Sequence, residues 1–491
     1  FYFAEDEEQL DKILEVRQRT PTLRKIIIFD MEGLRHLDDD LCMSFAELLE
    51  VGDAYGQQHP EIFAEAIDAA KPEDLLALTY TSGTTGPPKG AMISQRNMLY
   101  MMITLQRIYG IRPTDEQLGF LPLAHVAGRI FYTFASMEAG SVINLVEDAG
   151  TVFENLQEIA PSIHFAVPRV WEKQHSTVAI KLKDGTGLGR LAYRLALGIG
   201  ERVAEHRKAD QPVPLALRCL FFFAEQLALK NIRRFLGIDK CRWLSTAAAP
   251  IAPELIDWYW SLGKPMYEVY GQTECAGLIT ANMPGANRVG SVGLAVEDSE
   301  VALSSDGEIL LKSPGVIAGY WRKEAKTAET FRQGWLHTGD VGRIDEDGYV
   351  YVVDRLKDII ITAGGKNITP SEIENQLKFS PFISDAVVVG DKRPYLTCLV
   401  MIDQENVTKF AQDKNVPFTN YTSLCHTREV QDLIWGEIEA VNERFARVET
   451  IKKFRLIDQL LDPEDEELTP TMKLKRKVVN EKYMELINEM Y

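Results

Sequence analysis

The chain has 491 residues, of which 45% are hydrophobic and 26% charged, which is typical of a soluble globular protein with two or three domains. Its formal net charge of −18 argues against nucleic acid as a partner, because binding to phosphates needs a basic face. No run of about 20 uncharged apolar residues is present, so no membrane-spanning helix is predicted. The six cysteines are scattered without a C-x-x-C pair, which indicates reduced thiols and a cytoplasmic protein.

The first predicted elements are a strand over residues 1–4, a helix over 7–19 and a strand over 25–29. The chain begins with Phe1 rather than Met and shows no signal-peptide pattern.

The most informative stretch is Tyr80–Gly90, with the sequence YTSGTTGPPKG. A buried strand is predicted before it, at residues 75–80, and a helix after it, at 95–109. Its glycines allow close backbone approach, and its hydroxyls and amides can surround polyphosphate oxygens. Because Gly90 rather than Ser or Thr follows the lysine, the stretch is not a Walker loop. We predict a phosphate-binding loop built from Thr81, Ser82, Gly83, Thr84, Thr85, Gly86 and Lys89.

This loop resembles the phosphate loop of the adenylate-forming enzymes, the superfamily of acyl-CoA synthetases, luciferases and peptide-synthetase adenylation domains. The resemblance runs from about residue 75 to 480, and it is closest to long-chain and bubblegum-type fatty acyl-CoA synthetases. It implies an α/β fold with a large N-terminal domain of stacked α/β subdomains plus a small β region, and a small mobile α+β C-terminal domain. We expect the large domain at residues 1–353, a hinge at 354–358 and the small domain at 359–491. An upstream part of the large domain is expected to be absent, because the family's loop usually lies further into the chain.

Residues 75–146 alternate apolar strands with helical patterns, which predicts a parallel α/β arrangement. A strand starting at Gly119 leads into His125, at the kind of position where sites form in open α/β sheets. The resemblance implies that this His lies between nucleotide and acyl group.

Residues 172–236 are predicted to be mostly helical, and two interpretations of the segment 215–236 are open. It combines Phe221–Phe223 with four basic residues, as a surface helix contacting an anionic membrane would. A helix packed on its own domain is the interpretation that the burial habits of such residues favour.

Small residues follow the strand predicted at residues 242–246, and a helix is predicted over 253–262. The resemblance implies that Ala248 lines the nucleotide pocket, although tight strand–helix packing would need the same small residues.

A strand over residues 266–270 runs into the sequence Tyr-Gly-Gln-Thr-Glu. The resemblance implies that Tyr270 stacks on adenine, that Thr273 contacts the α-phosphate and that Glu274 helps to hold Mg²⁺. A carboxylate suits this last role, since Mg²⁺ prefers hard oxygen ligands. The neighbouring nucleotide-site residues are Gly271 and Gln272, and Thr81 is the second expected metal ligand.

Further motifs follow in residues 338–365. In the family, the aspartate of Thr-Gly-Asp, here Asp340, accepts hydrogen bonds from the ribose hydroxyls, as a two-oxygen acceptor can. The resemblance implies that Arg355 reaches the ribose or α-phosphate and that Lys357 is the hinge residue. It also implies that Gly364 and Gly365 line the tunnel for CoA.

The tail Thr469–Lys477 departs from the family's usual P-K-T-x-S-G-K-I-x-R ending. The K-x-x-R spacing fits Lys473 and Arg476, which makes Lys473 the expected catalytic lysine and Lys475 its rival. A solvated basic tail is the alternative.

The resemblance implies ATP-dependent activation of a fatty acid, expected to be long-chain, to acyl-AMP and its transfer to CoA. Two alternatives remain open: an acyl-AMP ligase that loads a carrier protein, and a fragment that binds nucleotide or lipid without turnover. The expected cofactors are ATP, Mg²⁺ and the co-substrate CoA. The expected location is cytoplasmic, with a peripheral membrane contact as an option, and the sequence does not indicate an oligomeric state.

Overall fold

A computed structural model of the chain describes residues 1–81, 88–147, 149–459, 461, 467 and 475–491. It is a mixed α/β protein that divides into two units, residues 1–72 and residues 73–491. Five predicted loop residues, Ser82, Gly83, Thr84, Thr85 and Gly86, lie outside the described residues, as does Lys473.

The first unit is a three-stranded parallel sheet with helices between and after its strands. A small hydrophobic cluster joins the strands to the first helix, and its buried members include Ala4, Ile26, Ile28 and Leu10. The predicted strand–helix–strand start is therefore confirmed. The elements are β1 (Tyr2–Ala4), α1 (Glu7–Val16), β2 (Ile26–Ile28), β3 (Cys42–Ser44), α2 (Phe45–Gln58) and α3 (Ile62–Ala69).

The second unit begins with an antiparallel hairpin, β4 (Leu75–Thr81) and β5 (Lys89–Ser94), where a parallel arrangement was expected. Helix α4 (Gln95–Tyr109) follows with the predicted bounds, because Ser94 caps its first turn and Gly110 ends it at φ 52°. The parallel pair β6 (Glu116–Gly119) and β7 (Val142–Leu145) comes next. Strand β6 lies earlier than predicted, because it ends at Gly119, where the predicted strand begins. Pro122, shortly after it, has no N–H for a sheet hydrogen bond. Between the two strands lie α5 (Val126–Gly128), a π-helical stretch (Arg129–Phe134) and α6 (Ala135–Ala139).

A central five-stranded sheet has the order β12-β11-β10-β9-β8, in which β8, β9 and β10 are parallel, whereas β10 pairs with β11 and β11 with β12 antiparallel. Its strands belong to the largest hydrophobic core, together with fully buried Trp171 and Tyr259. The strands are β8 (Ile163–Ala166), β9 (Trp243–Thr246), β10 (Met266–Tyr270), β11 (Thr280–Ala281) and β12 (Leu294–Ala295), with α7 (Val152–Ile159) before β8 and α12 (Pro253–Ser261) before β10.

The helical region between β8 and β9 is confirmed. It consists of α8 (Pro168–Asp184), α9 (Gly187–Lys208), α10 (Leu215–Ala224) and α11 (Lys230–Phe235), with a π-helical stretch (Glu225–Leu229) joining α10 to α11. Phe221 is buried in the core, as the packing interpretation expects, whereas Phe222 and Phe223 lie exposed. Among the described residues, no helix is both long and apolar enough to cross a membrane.

A small β region follows, with the order β13-β14-β16-β15 and β17 paired to β16. A turn at residues 304–307 joins β13 to β14. The elements are β13 (Glu300–Leu303), β14 (Glu308–Lys312), α13 (Glu324–Thr330), β15 (Phe331–Arg332), β16 (Trp335–Ile344) and β17 (Val350–Arg355).

The C-terminal region has hydrophobic clusters of its own, around a sheet in which β20 and β21 are antiparallel and β21 and β22 are parallel. This agrees with a small α+β region, while the hinge at residues 354–358 stays a prediction. The elements are β18 (Ile360–Ile361), β19 (Asn367–Ile368), α14 (Pro370–Lys378), β20 (Ile383–Val389), β21 (Leu396–Ile402), α15 (Gln404–Asp413), α16 (Tyr421–Cys425), α17 (Arg428–Asn442), β22 (Ile451–Leu456), α18 (Arg476–Lys482) and α19 (Met484–Asn488).

Candidate active site

The hairpin β4–β5 holds the two ends of the predicted phosphate loop. Thr81, the last residue of β4, lies opposite Lys89, the first residue of β5, and its hydroxyl donates to the Lys89 carbonyl over 3.5 Å. The Lys89 ammonium lies 4.3 Å from the centre of the Tyr320 ring. The predicted phosphate loop therefore starts and ends on paired strands, with the Lys89 cation at one end.

Glu274 lies in a 3₁₀ turn (Thr273–Cys275) that directly follows the strand β10. Its carboxylate accepts a 2.5 Å hydrogen bond from the Tyr320 hydroxyl. Tyr320 is buried, and it contacts Glu274 through its hydroxyl and Lys89 through its ring. The backbone on either side of Tyr320 pairs with β5, since the Met92 amide donates to the Gly319 carbonyl and the Trp321 amide donates to the Gly90 carbonyl.

Asp340 is the most densely contacted of the predicted site residues. It is only 4% exposed, and its carboxylate accepts hydrogen bonds from the Tyr270 hydroxyl at 2.6 Å and the Gln272 amide at 2.7 Å. Arg355 forms an ion pair with the other carboxylate oxygen at 2.9 Å. Strands β10, β16 and β17 and the turn after β10 thus bring three predicted nucleotide-site residues around the carboxylate of a fourth.

The protonation states around Asp340 follow from this packing. Burial and the neighbouring Asp340 carboxylate raise the pKa of the Tyr270 phenol well above its ordinary value, so that its hydroxyl remains a donor. Burial tends to lower the pKa of the Arg355 guanidinium, but Asp340, Tyr270, Asp358 and Glu274 together outweigh burial, and the net shift is upward. The cluster therefore holds the Arg355 cation beside the Asp340 carboxylate.

Gly271 and Ala248 show how closely the backbone is packed here. A Cβ added at Gly271 would lie 1.9 Å from the Gly277 carbonyl oxygen, so this position of the Tyr-Gly-Gln-Thr-Glu motif requires glycine. Ala248 adopts a left-handed φ of 74°, which an L-residue with a Cβ reaches only at a cost of about 1–2 kcal/mol. Strain of this kind persists where the surrounding structure enforces it, which is frequent at ligand sites.

His125 precedes the short helix α5 and is partly buried. Its Nδ1 accepts a 3.2 Å hydrogen bond from the Ala127 amide, and burial lowers the pKa of its imidazole. The ring is therefore neutral near pH 7, which suits a neighbour of an uncharged or acyl group better than a partner for phosphate.

The predicted hinge and CoA residues follow β17. Lys357 is exposed, and Gly364 and Gly365 form the turn of the hairpin β18–β19, with Gly365 at a φ of 75°. Just before this segment, the buried Asp354 carboxylate accepts hydrogen bonds from the amide and the hydroxyl of Ser371 in the first turn of α14. This pair joins the end of β17 to the C-terminal region.

The predicted catalytic lysine Lys473 lies outside the described residues, but Arg476 of the same motif begins α18. Its guanidinium donates to the Val388 carbonyl at 2.7 Å and to the buried Glu374 carboxylate at 2.6 Å. The backbone amide of Lys475 donates to the Glu467 carbonyl at 2.7 Å. The arginine of the motif is therefore anchored within the C-terminal region.

Tyr320 is the site residue that sequence reasoning missed. It lies 46 positions after Glu274, in the sequence Ala-Gly-Tyr-Trp, and neither spacing nor residue type distinguishes it from a core aromatic residue. Only the pairing of β5 with residues 319–321 brings it to the site.

The donor set at Glu274 and Thr81 consists of hard oxygens and therefore fits Mg²⁺. Within the described part of the chain, no group of three or more His, Cys, Asp or Glu side chains could hold a metal ion. An ion here would consequently need ligands from a bound phosphate, as is usual for Mg²⁺ in nucleotide sites.

Comparison with protein families identifies the class. A family described as "AMP-binding enzyme" matches residues 1–321, and a second described as "AMP-binding enzyme C-terminal domain" matches residues 357–491. The chain therefore belongs to the AMP-binding enzyme family, which confirms the resemblance to adenylate-forming enzymes.

Named relatives are fatty-acid–CoA ligases. The chain is 36% identical over 426 residues to the "putative fatty-acid–CoA ligase fadD11" of Mycobacterium tuberculosis, covering 86% of this chain and 74% of the relative. It is 33% identical to the "long-chain-fatty-acid–CoA ligase FadD15" of Mycobacterium bovis, covering 100% of this chain and 79% of the relative. It is also 32% identical to the "long-chain-fatty-acid–CoA ligase ACSBG2" of Gallus gallus, over 98% and 66% of the two chains.

Solved structures share the fold. The adenylation domain of a carboxylate reductase from Mycobacterium chelonae superimposes with a TM-score of 0.71 at 21% identity, over 99% of this chain and 72% of the other. The anthranilate CoA ligase AuaEII in complex with anthranoyl-AMP gives 0.67 at 19% identity, over 98% and 78%. The predicted α/β fold with a large N-terminal domain and a separate C-terminal domain is thus confirmed.

Proposed function

We propose that the chain is an AMP-forming fatty-acid–CoA ligase that activates a long-chain acid with ATP and transfers the acyl group to CoA. Family membership and the names of relatives at 32–36% identity support this activity. The observation that carries the proposal is a pair of contacted carboxylates, Asp340 within β16 and Glu274 in the turn after β10. Asp340 pairs with Arg355, and Glu274 shares its partner Tyr320 with Lys89.

In the first step, a carboxylate oxygen of the acid attacks the α-phosphorus of ATP, the bond to the β-phosphate oxygen breaks, and pyrophosphate leaves. Positioning and charge neutralisation are most of the work in such a phosphoryl transfer. We assign the phosphates to Lys89 and the loop residues, the α-phosphate to Thr273, and the ribose to Asp340 and Arg355. Tyr270, Gly271, Gln272 and Ala248 complete the nucleotide site. When bound at Glu274 and Thr81, Mg²⁺ would neutralise phosphate charge.

In the second step, the CoA thiol attacks the acyl carbonyl carbon of acyl-AMP, AMP leaves with the bonding electron pair, and the thiol proton is released. We propose that the small domain turns about Lys357 between the steps, so that Lys473 serves the first step and Gly364 and Gly365 line the CoA path in the second. His125 would lie between nucleotide and acyl group.

Lys473 and Lys475 are separated by testing the two half-reactions in Lys473→Ala and Lys475→Ala. The true catalytic lysine stabilises charge in acyl-AMP formation, so its loss should slow that step by about 10²–10³. Thioester formation from supplied acyl-AMP should change far less. If Lys473→Ala impairs both half-reactions equally, the assignment is wrong.

The ligase is proposed to work in the cytoplasm on small-molecule substrates, with a peripheral contact to membranes. Long-chain acids partition into bilayers, because each buried methylene gains about 0.8 kcal/mol. A ligase that collects them at a membrane surface needs no spanning helix, in line with the absence of one among the described residues.

The decisive experiment measures CoA thioester and AMP formation with ATP and Mg²⁺ across acids from acetate to palmitate and oleate. A maximum at long acids is the expected result, and a maximum at acetate would contradict the long-chain assignment. Failure to catalyse ATP–pyrophosphate exchange with any acid would overturn the ligase function and favour a nucleotide- or lipid-binding protein.

A second candidate acceptor is a carrier-protein thiol. It is favoured by the fold likeness to an adenylation–carrier didomain of a carboxylic acid reductase from Segniliparus rugosus, with a TM-score of 0.68 at 21% identity. Acyl-AMP formation without CoA thioester, but with acylation of a phosphopantetheinyl carrier protein, would select this candidate.

A further inference from the structure

Helix α10 and the π-helical stretch after it expose an unusually apolar face. We call this the α10 face, and it consists of Leu215, Leu220, Phe222, Phe223 and Leu227. Phe222 and Phe223 are 56% and 61% exposed, and Leu227 is 74% exposed. The opposite side of the same helix is buried through Leu217, Phe221, Ala224 and Leu229.

Such a helix is apolar all round, which is normal only for helices that are covered on every side. Contiguous exposed apolar patches usually mark an interaction site. The neighbouring helix α9, which packs against α10, exposes three further leucines at spacings of three and four, Leu188, Leu191 and Leu195. The exposed leucines and phenylalanines therefore form a feature of two adjacent helices rather than of a single side chain.

The charge around this face is opposite to that of the protein as a whole. Residues 187–236 contain nine Lys or Arg and four Asp or Glu, a net +5, whereas the whole chain carries −18. Between Leu215 and Phe235 the single acid is Glu225, in the π-helical stretch, and it pairs with Arg233 at 2.8 Å. The Arg218 side chain, by contrast, is exposed and lies four residues, about one helical turn, before Phe222.

We propose that the α10 face docks on the surface of an anionic lipid bilayer, with its phenylalanines and leucines in the interface and Arg218 and Lys230 against the headgroups. Exposed aromatic and aliphatic side chains flanked by cations are the combination that holds amphipathic helices at anionic membranes. The choice of a bilayer as the partner rests on the proposed function, because a long-chain acid substrate partitions into bilayers.

A second copy of the chain fits this face less well. A two-fold contact places the same patch of each copy against the other, which would bring two positively charged helices together. Like charges across an interface oppose association. An anionic lipid surface meets both the apolar side chains and the cations.

The test is co-sedimentation of the full chain with phosphatidylglycerol or phosphatidylcholine vesicles, without ATP or CoA. We expect binding to phosphatidylglycerol, and a loss of at least about tenfold in affinity in the Phe222→Ser/Phe223→Ser double variant. Arg218→Glu/Lys230→Glu should weaken binding to phosphatidylglycerol by a similar factor, and added salt should do the same. Matched controls away from the face are Leu145→Ser, at a side chain 73% exposed, and Arg428→Glu, at a side chain 90% exposed, and both should bind like the parent.

Equal binding by all variants, or no binding of the parent chain, would overturn the proposal. The face would be assigned to self-association instead if the chain does not bind vesicles but forms a dimer in sedimentation equilibrium that Phe222→Ser/Phe223→Ser abolishes. The Glu274→Gln variant, expected to lack ligase activity, should still bind vesicles. Docking can therefore fail while the ligase function stands, and the ligase function can fail while docking stands.

Discussion

The two carboxylates of the candidate site are held in different ways. Asp340 is almost fully buried, accepts hydrogen bonds from Tyr270 and Gln272, and forms an ion pair with Arg355. Glu274 accepts one side-chain hydrogen bond within the described part of the chain, from Tyr320. An ionised carboxylate offers about four acceptor positions, so Asp340 is close to saturated whereas Glu274 has most of its capacity left.

This difference predicts different roles in the architecture. A carboxylate that gathers three donors from two distant segments of the chain contributes to folding as well as to any ligand contact, because its loss leaves those donors without this acceptor. A carboxylate with spare acceptor positions is suited to a cation or ligand that is not part of the protein. Substitutions should therefore affect stability at Asp340 and activity at Glu274.

The largest effect on stability is expected for Asp340→Ala. It removes the shared acceptor of Tyr270, Gln272 and Arg355, so the free energy of unfolding should fall by about 2–3 kcal/mol, less than for a fully buried pair because Arg355 is partly exposed. Activity should fall as well. Urea unfolding measures the change, with the exposed Asp347→Ala as a matched control. An unchanged unfolding midpoint would show that the cluster does not stabilise the fold.

Glu274→Gln should instead lower activity strongly while changing stability little. The amide oxygen can still accept from Tyr320, so stability should stay within about 1 kcal/mol of the parent. ATP–pyrophosphate exchange should nevertheless fall by about 10²–10³, and the Mg²⁺ concentration needed for half-maximal rate should rise. Full exchange activity in this variant, at an unchanged Mg²⁺ requirement, would contradict the metal role of Glu274.

Tyr320 tests how Glu274 is oriented. Tyr320→Phe removes the hydroxyl that donates to Glu274 but keeps the ring beneath Lys89, so exchange should fall by about tenfold. Tyr320→Leu also removes the ring and should lose several-fold more. A positioning role further requires that Tyr320→Phe needs more Mg²⁺ for half-maximal rate, while its free energy of unfolding changes by no more than about 1 kcal/mol. Equal activity of Phe and Leu variants would exclude a role for the cation–π contact.

Much of the fold could be predicted from the sequence because its signals are local. Helix α4 has the predicted bounds, since its cap at Ser94 and its end at Gly110 are neighbouring residues. Strand β10 and the turn that carries Glu274 follow from a short apolar run and the motif after it. Proline at the start of α8, α12 and α14 marks those helices in the same way.

The contacts within the site could not be predicted, because they join residues distant in sequence. Asp340 meets Tyr270 and Arg355 through the pairing of β16 with β17 and the packing of β10, and Tyr320 reaches Glu274 through backbone pairing with β5. The left-handed conformation of Ala248 is also invisible in the sequence, where glycine would have been the signal. Motifs thus indicated which residues belong to the site but not which of them touch.

The smallest effect concerns a third carboxyl group, Glu268, two residues before Tyr270 on the same strand. Its side chain accepts no hydrogen bond from the described residues, and burial raises its pKa to about 8. A raised folded-state pKa means that the native chain holds a proton that the unfolded chain has released, so stability should fall as pH rises from about 4.5 to 8. Glu268→Gln cannot ionise and should remove this part of the decline. The melting temperature of the variant should therefore gain on the parent between about pH 5 and pH 9. A constant difference across that range would mean that the native fold does not raise the pKa of Glu268.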